Sequence, residues 1–152
     1  MKIKRLIKRL IKFFSPRKWL FLDDTRDPPE HLSKIFDTVR SYDEFVDYIE
    51  TYGVPEVISF DHDLHPEHTS FFFECGGFRS PPDPKNEIFK NNTGYDCALW
   101  LIDYCERNNF KLKIVVVHSH NPIGSSNIYQ LISSYQMKKY NRINCKLLRW
   151  KT

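Results

Sequence analysis

The 152 residues of this chain are enough for one domain and too few for two of ordinary size. Hydrophobic residues make up 41% and aromatic residues 15% of the chain, values that exclude a disordered body. Residues 1–18 carry eight Lys or Arg and no acid, so the remainder, with 15 basic and 19 acidic residues, has a formal charge of −4. This distribution gives no strong signal for duplex nucleic-acid binding and confines any basic partner surface to the N-terminus.

The first segment has the pattern of an amphipathic helix with a basic opposite face. Its apolar stripe consists of Ile3, Leu6, Ile7, Leu10, Ile11 and Phe14. Pro16 ends the pattern, which predicts a separate N-terminal helix over residues 1–16. Such a helix can lie on a membrane surface, dock a partner or nucleic acid, or pack on its own domain. We favour a membrane surface or a protein partner for residues 1–14, because an intramolecular helix rarely needs six charges of one sign.

The sequence has no signal peptide and no apolar run approaching the roughly 18 residues of a membrane span. It therefore predicts a cytoplasmic protein, peripheral at a membrane or an assembly if the N-terminal helix docks there. The four cysteines match no zinc-binding spacing, and we expect them to be reduced core residues.

Residues 17–152 are predicted to form one α/β domain. Short apolar runs, typical of strands buried on both faces, occupy residues 19–22, 36–40, 57–60, 114–117 and 145–148. Helical patterns follow Ser41, Thr93 and Pro122, and the first crossover is short and poorly helical. This order predicts a flavodoxin-like, receiver-like parallel sheet of five strands in the order 2-1-3-4-5, with helices on both faces.

Residues 65–92 interrupt this alternation with four prolines, a Gly-Gly pair and three consecutive phenylalanines. A connection of this length in a small domain is usually a functional lid or disordered. Since it begins directly after an acidic strand end, we predict a loop insertion that covers the crevice, with the phenylalanines able to stack on a base.

Acidic residues follow the first and third strands. Asp23 and Asp24 end one apolar run and Asp61 ends another, and the predicted strand order makes these two strands neighbours. Clustered carboxylates repel one another unless a hard cation lies between them. The sequence therefore predicts that Asp23, Asp24 and Asp61 bind Mg²⁺ or Mn²⁺, which in turn recruits a phosphate.

Three titratable residues, Asp61, His62 and Asp63, stand in consecutive positions at the end of the third strand. Alternation along an extended chain sends the two acids to one side and His62 to the other. His65 and His68 continue the run, but their loop lacks the rigid spacing of a zinc site.

Four polar residues directly follow the predicted fourth strand: His118, Ser119, His120 and Asn121. A neutral histidine can act as a general base near pH 7, and Ser or Asn can orient a phosphoryl oxygen. The alternative is a helix cap and loop cluster ahead of the last helix. The glycine pattern of a nucleophile elbow is missing, which argues against a serine hydrolase.

Four motifs together resemble a known family: Leu-Phe-Leu-Asp-Asp-x-Arg-x-Pro, Asp-His-Asp-Leu, Thr-Gly-Tyr-Asp and His-Ser-x-Asn-Pro-x-Gly. The acids, Ser119 and a basic residue after strand five are similar to the site of response-regulator receiver domains, where an aspartate accepts a phosphoryl group. The fuller pattern, over about residues 19–150, more closely resembles the cyclic-phosphate processing receiver-like domain. Arg149 or Lys151 must replace the receiver lysine, and histidines flank Asp61 and Ser119, which favours hydrolysis over phosphotransfer.

The resemblance implies a Mg²⁺-dependent phosphoesterase acting on a cyclic phosphate of a nucleotide-derived small molecule, such as an ADP-ribose cyclic phosphate arising in RNA repair. The alternative is a non-catalytic or phosphoryl-accepting receiver-like module that regulates or binds. The expected catalytic residues are Asp61, His62, Asp63, His118 and Ser119. The expected substrate-binding residues are Arg26, Thr93, His120, Asn121 and Arg149.

Overall fold

Five short parallel strands form the sheet of the domain. In the computed structural model, which describes residues 19–74 and 91–148, they are β1 (Trp19–Leu22), β2 (Phe36–Val39), β3 (Val57–Phe60), β4 (Ile114–Val117) and β5 (Cys145–Leu147). Their order is β2-β1-β3-β4-β5, which confirms the predicted receiver-like sheet. Because β1 and β3 are adjacent, Leu22 pairs with Phe60 and both strands end at the same edge.

The described residues also contain four helices, α1 (Tyr42–Tyr52), α2 (Pro66–Glu74), α3 (Gly94–Asn108) and α4 (Pro122–Tyr140). Side-chain caps fix the starts of three of them: Ser41 for α1, Thr93 for α3 and Asn121 for α4. None of these helices has the length and apolarity that crossing a bilayer requires.

Helix α2 was not expected, since the sequence predicted a loop from residue 65. Proline is favoured at the first position of a helix, and the nine residues of α2 contain no glycine. His68 on this helix is fully buried. Its Nδ1 accepts from the backbone N–H of Leu64 at 3.3 Å, and its Nε2–H donates to the Asn91 carbonyl at 3.0 Å. His68 therefore ties together the two described ends of the insertion.

The hydrophobic core lies on one face of the sheet. Alternate residues of the strands, such as Leu20, Ile58 and Val115, share one buried cluster with the apolar sides of α1, α3 and α4. The three crossovers that contain these helices step across the sheet in the same direction. Right-handed crossovers of one direction place their helices on one face, so this arrangement follows from the strand order.

The face of the sheet opposite the core is reached by a different connection. The connection from β1 to β2 steps in the opposite direction, and it contains a single 3-10 turn at Glu30–Leu32. Of the helices expected on both faces, α1, α3 and α4 therefore cover one. The predicted N-terminal helix over residues 1–16 and the predicted phosphate ligand Arg149 lie outside the described residues.

Three cysteines are buried and free, as the sequence predicted for reduced core residues. Cys97 and Cys105 belong to α3, and Cys145 begins β5. Burial raises the pKa of the Cys105 and Cys145 thiols to about 12, and that of Cys97 well above its ordinary value. The reactive species is the thiolate, so these thiols are poor nucleophiles in the folded state.

We expect a Cys75→Ser variant to show no rapidly reacting thiol with a disulfide reagent at pH 8, and three reacting thiols after unfolding in urea. The Cys75 substitution is needed because that residue lies outside the described part of the chain. Rapid reaction of any of the three remaining thiols in the folded protein would contradict the buried placement.

Candidate functional site

Three carboxylates from two strands meet at the carboxyl edge of the sheet, as predicted. Asp23 and Asp24 follow β1 and Asp61 follows β3, and each offers an oxygen within 4.8 Å of the others. Asp23 is fully buried and Asp61 nearly so. Within residues 19–74 and 91–148, no other group of three His, Cys, Asp or Glu side chains is gathered in this way.

Arg26 bridges two of these carboxylates. Its Nε lies 2.7 Å from Oδ2 of Asp23, and its Nη2 lies 3.0 Å from Oδ2 of Asp61. The other oxygen of Asp23 accepts from the backbone N–H groups of Thr25 at 3.0 Å and Arg26 at 2.6 Å. Asp23 thus orders the turn after β1 and orients the guanidinium across the acidic cluster.

The local environment shifts the pKa values of Asp23 and Asp24 in opposite directions. Burial by itself would raise the pKa of Asp23, but hydrogen bonds with His118 and Arg26 outweigh it and leave the pKa below its ordinary value. Burial raises the pKa of Asp24, and the negative charges of Asp61 and Asp23 add to the effect. A cation placed among these carboxylates would relieve that repulsion.

His118 supports Asp23 from inside the domain. Its ring is fully buried and stacks on Phe21, with the ring centroids 4.3 Å apart. Its Nε2 lies 3.1 Å from Oδ2 of Asp23, and its Nδ1 lies 2.7 Å from the Ser59 hydroxyl. With Asp23 ionised, Nε2–H donates to the carboxylate and Nδ1 accepts from Ser59 in the neutral ring.

His62 supports Asp63 in the same way. Alternation after β3 turns the His62 ring inward, and its Nδ1 lies 2.6 Å from Oδ1 of Asp63. The amide of Asn121 donates to both oxygens of Asp63 at 3.2 and 3.4 Å, while its Oδ1 caps α4 through the N–H of Gly124. The cap interpretation of Asn121 is therefore correct, and one side chain joins α4 to the acidic strand end.

Two motif glycines allow helices to approach this strand end closely. A Cβ on Gly94, the first residue of α3, would lie 1.8 Å from the carbonyl oxygen of Asp61. A Cβ on Gly124 would lie 2.2 Å from Cγ of His62. The first turns of α3 and α4 thus pack directly on Asp61 and His62, and any larger residue must displace them.

A cavity of about 550 Å³ opens over the acidic cluster. The predicted site residues that line it are Asp24, Arg26, Asp61, Asp63, Ser119, His120 and Asn121. Phe73 of α2 also lines it and is 72% exposed, so one of the three phenylalanines expected to stack on a base is available to a ligand.

Among the described residues, four predicted site residues lie outside the cavity lining: Asp23, His62, His118 and Thr93. The two histidines support Asp63 and Asp23 from behind. Thr93 instead forms a capping box, in which its backbone N–H and hydroxyl both donate to Oδ2 of Asp96, at 2.6 and 2.9 Å. These side chains are buried and hydrogen-bonded within the domain. The sequence pattern alone did not reveal these bonds.

Sequence reasoning missed several residues of the site. Thr25, Pro66 and Ser70 line the cavity, and Ser59 holds His118. Thr25 could have been predicted as a site residue, because it directly follows the two aspartates. Pro66 and Ser70 depend on α2, whose helical pattern is weak, and Ser59 is a strand residue without any local signal.

The donor set suits a hard cation, because carboxylate oxygens are the protein ligands that Mg²⁺ takes. Asp23 already accepts two hydrogen bonds on each oxygen, which fills the roughly four lone-pair positions of a carboxylate. Asp24 and Asp61 both line the cavity and are the better placed to contact an ion directly.

We expect Gly124→Ala to lower the free energy of unfolding by about 1 to 3 kcal/mol, the usual range for overpacking a core. The His62 ring cannot easily move away, since it is buried and its Nδ1 is held by Asp63. Asn127→Ala, at an exposed position of the same helix, is the control and should be near neutral. Urea unfolding measures both, and a Gly124→Ala protein as stable as the control would contradict this packing.

Comparison with known proteins agrees with the geometry. The family described as the cyclic-phosphate processing Receiver domain matches residues 18–134. No curated protein matches the chain. The matched range includes the strand ends that supply the acids, Arg26, and the polar run after β4. Since it covers well over half of the sequence, the chain belongs to the cyclic-phosphate processing Receiver domain family.

Proposed function

We propose that this protein is a phosphoesterase, dependent on Mg²⁺ or Mn²⁺, that opens a cyclic phosphate on a nucleotide-derived small molecule. The observation that carries the proposal is the meeting of Asp23, Asp24 and Asp61 within 4.8 Å beside a cavity of ligand size. Family membership supports a cyclic phosphate as the substrate class. An ADP-ribose cyclic phosphate arising in RNA repair is the specific candidate.

The charge of the cavity supports a requirement for a divalent cation. Among the described lining residues, the three carboxylates of Asp24, Asp61 and Asp63 face one guanidinium, that of Arg26. A phosphate would be repelled by this lining unless a cation entered with it. Magnesium, when bound by Asp24 and Asp61, polarises a phosphoryl oxygen and lowers the pKa of a bound water.

Chain groups on both sides of the carboxylates suit a phosphate. Arg26 is held at two of its nitrogens and still lines the cavity, so it presents an ordered guanidinium to a phosphoryl oxygen. Ser119 lies ahead of the first turn of α4, where the helix dipole favours an anion. The proposed phosphate position is therefore between Arg26 and Ser119.

Asp63 is the proposed proton carrier, in place of the histidines that the sequence favoured. It lines the cavity, whereas His62 holds it from behind and Asn121 fixes both of its oxygens. A water attacks phosphorus, its proton passes to Asp63, and one ester P–O bond of the ring breaks. Asp63 then returns the proton to the leaving oxygen, which yields an open phosphomonoester.

The hydrophobic side of the cavity suits the nucleoside part of the ligand. Phe73 and Pro66 of α2 line the cavity and offer apolar surface. Stacking of a base on an aromatic ring contributes about 1 to 3 kcal/mol with little base preference. The lid role predicted for the insertion is thus proposed for α2.

We expect the purified protein to hydrolyse a nucleotide cyclic phosphate in the presence of Mg²⁺, and Asp61→Asn to lower kcat/KM by about 100-fold or more. Asp103→Asn is the matched control, because Asp103 is exposed on α3 and pairs only on the surface with Arg107. Product formation is followed by ³¹P NMR, and circular dichroism verifies that both variants fold. Unchanged turnover by Asp61→Asn would end the proposal.

The phosphoryl-accepting alternative has one supporting observation: Asp61 after β3 and Ser119 after β4 line the same cavity. We expect no acyl phosphate, however. Oδ1 of Asp61 accepts from the N–H of His62 at 2.8 Å, and Oδ2 pairs with Arg26. Incubation with acetyl phosphate and Mg²⁺, followed by intact mass measurement, tests this. An acid-labile gain of one phosphoryl group that Asp61→Asn abolishes would favour the alternative.

A further inference from the structure

The sheet has a second face, opposite the core, that is rich in apolar side chains. By alternation along the strands it presents Trp19, Phe21, Phe36, Val57, Ile114 and Val116. Trp19 and Phe36 pack edge to face with ring centroids 5.4 Å apart, and Phe21 contacts Phe36 at 5.7 Å. Towards β4 this surface opens, and Ile114 is 43% exposed.

None of α1, α3 and α4 can cover the second face. Their apolar sides all belong to the core cluster on the opposite face. The single crossover that reaches the second face, residues 23–35, contains a 3-10 turn of three residues and orders the Arg26 turn instead of forming a helix. An apolar strand surface of this kind needs a covering layer to keep water out.

We propose that residues 1–14 of this chain cover the second face, with the apolar stripe of the N-terminal segment packed on it. As a helix, the 11 steps from Ile3 to Phe14 span about 16 Å. Five strands at the usual spacing span about 19 Å, so one such helix can cover most of that width. The four residues 15–18 join it to β1 and can reach about 13 to 14 Å, more than the roughly 10 Å between packed layers.

The other segments outside the described residues fit this face less well. Residues 75–90 contain three prolines and no apolar stripe of helical period, and residues 149–152 are too few for a turn of stable helix. Charge favours the same arrangement, since residues 1–18 hold eight basic groups and no acid, whereas the rest of the chain has a formal charge of −4. With the stripe packed inward, the basic face of the segment points to solvent.

Methyl NOE measurements on the full chain test the proposal directly. With Ile, Leu and Val methyl groups labelled, we expect NOEs from residues in the range 3–11 to Ile114 and Val116. Leu6→Ser should shift the Ile114 and Val116 methyl resonances by more than their linewidths. Lys8→Ser, a change to the same residue on the basic face, should leave them in place.

Absence of these NOEs, together with unchanged Ile114 and Val116 resonances in Leu6→Ser, would overturn the proposal. Vesicles of phosphatidylcholine and phosphatidylglycerol test the alternative that the apolar stripe binds a membrane. If the NOEs are absent without vesicles, and vesicles co-sediment the wild-type chain but not Leu6→Ser, the stripe binds membrane instead of the second face, and the proposal is again overturned.

Discussion

The site depends on one adjacency, that of β1 and β3 in the sheet. Because their carboxyl ends lie side by side, Asp23 and Asp24 are forced next to Asp61 although Asp24 and Asp61 are 37 positions apart in sequence. Carboxylates this close repel, and Arg26 offsets part of that cost by pairing with one acid from each strand. The three carboxylates stay close together because the sheet, rather than the side chains, sets the distance between the strand ends that carry them.

The polar residues of the site divide into two layers. Asp24, Asp61, Asp63 and Arg26 face the cavity. Behind them, His118 holds Asp23 and His62 holds Asp63, while Asn121, which itself lines the cavity, also donates to Asp63. Gly94 and Gly124 also belong to the second layer. Gly94 allows α3 to approach the backbone of Asp61, and Gly124 allows α4 to approach the ring of His62. Rigid support of this kind keeps a charged cluster ordered before a ligand arrives.

The same stretch of chain explains both the site and the second face of the sheet. Residues 23–35 are committed to the turn that places Arg26, and Arg40 from the end of β2 reinforces it by donating to the carbonyl of Asp23 at 3.0 Å and pairing with Asp27. A segment ordered in this way does not form the helix that would otherwise cover the β1–β2 side. The acidic site and the lack of a helix from this connection on the second face are two consequences of one crossover.

The sequence by itself determined the strands, their acidic ends and the capped helices α1, α3 and α4, because apolar period and cap chemistry are local properties. It did not determine α2, whose apolar pattern is weak, or the partners that His62 and His118 meet inside the domain. Those partners are distant in sequence: His118 meets Asp23 across 95 positions, and His62 meets Gly124 of another helix. Only tertiary packing decides whether a histidine at a strand end faces the cavity or supports the acid that does.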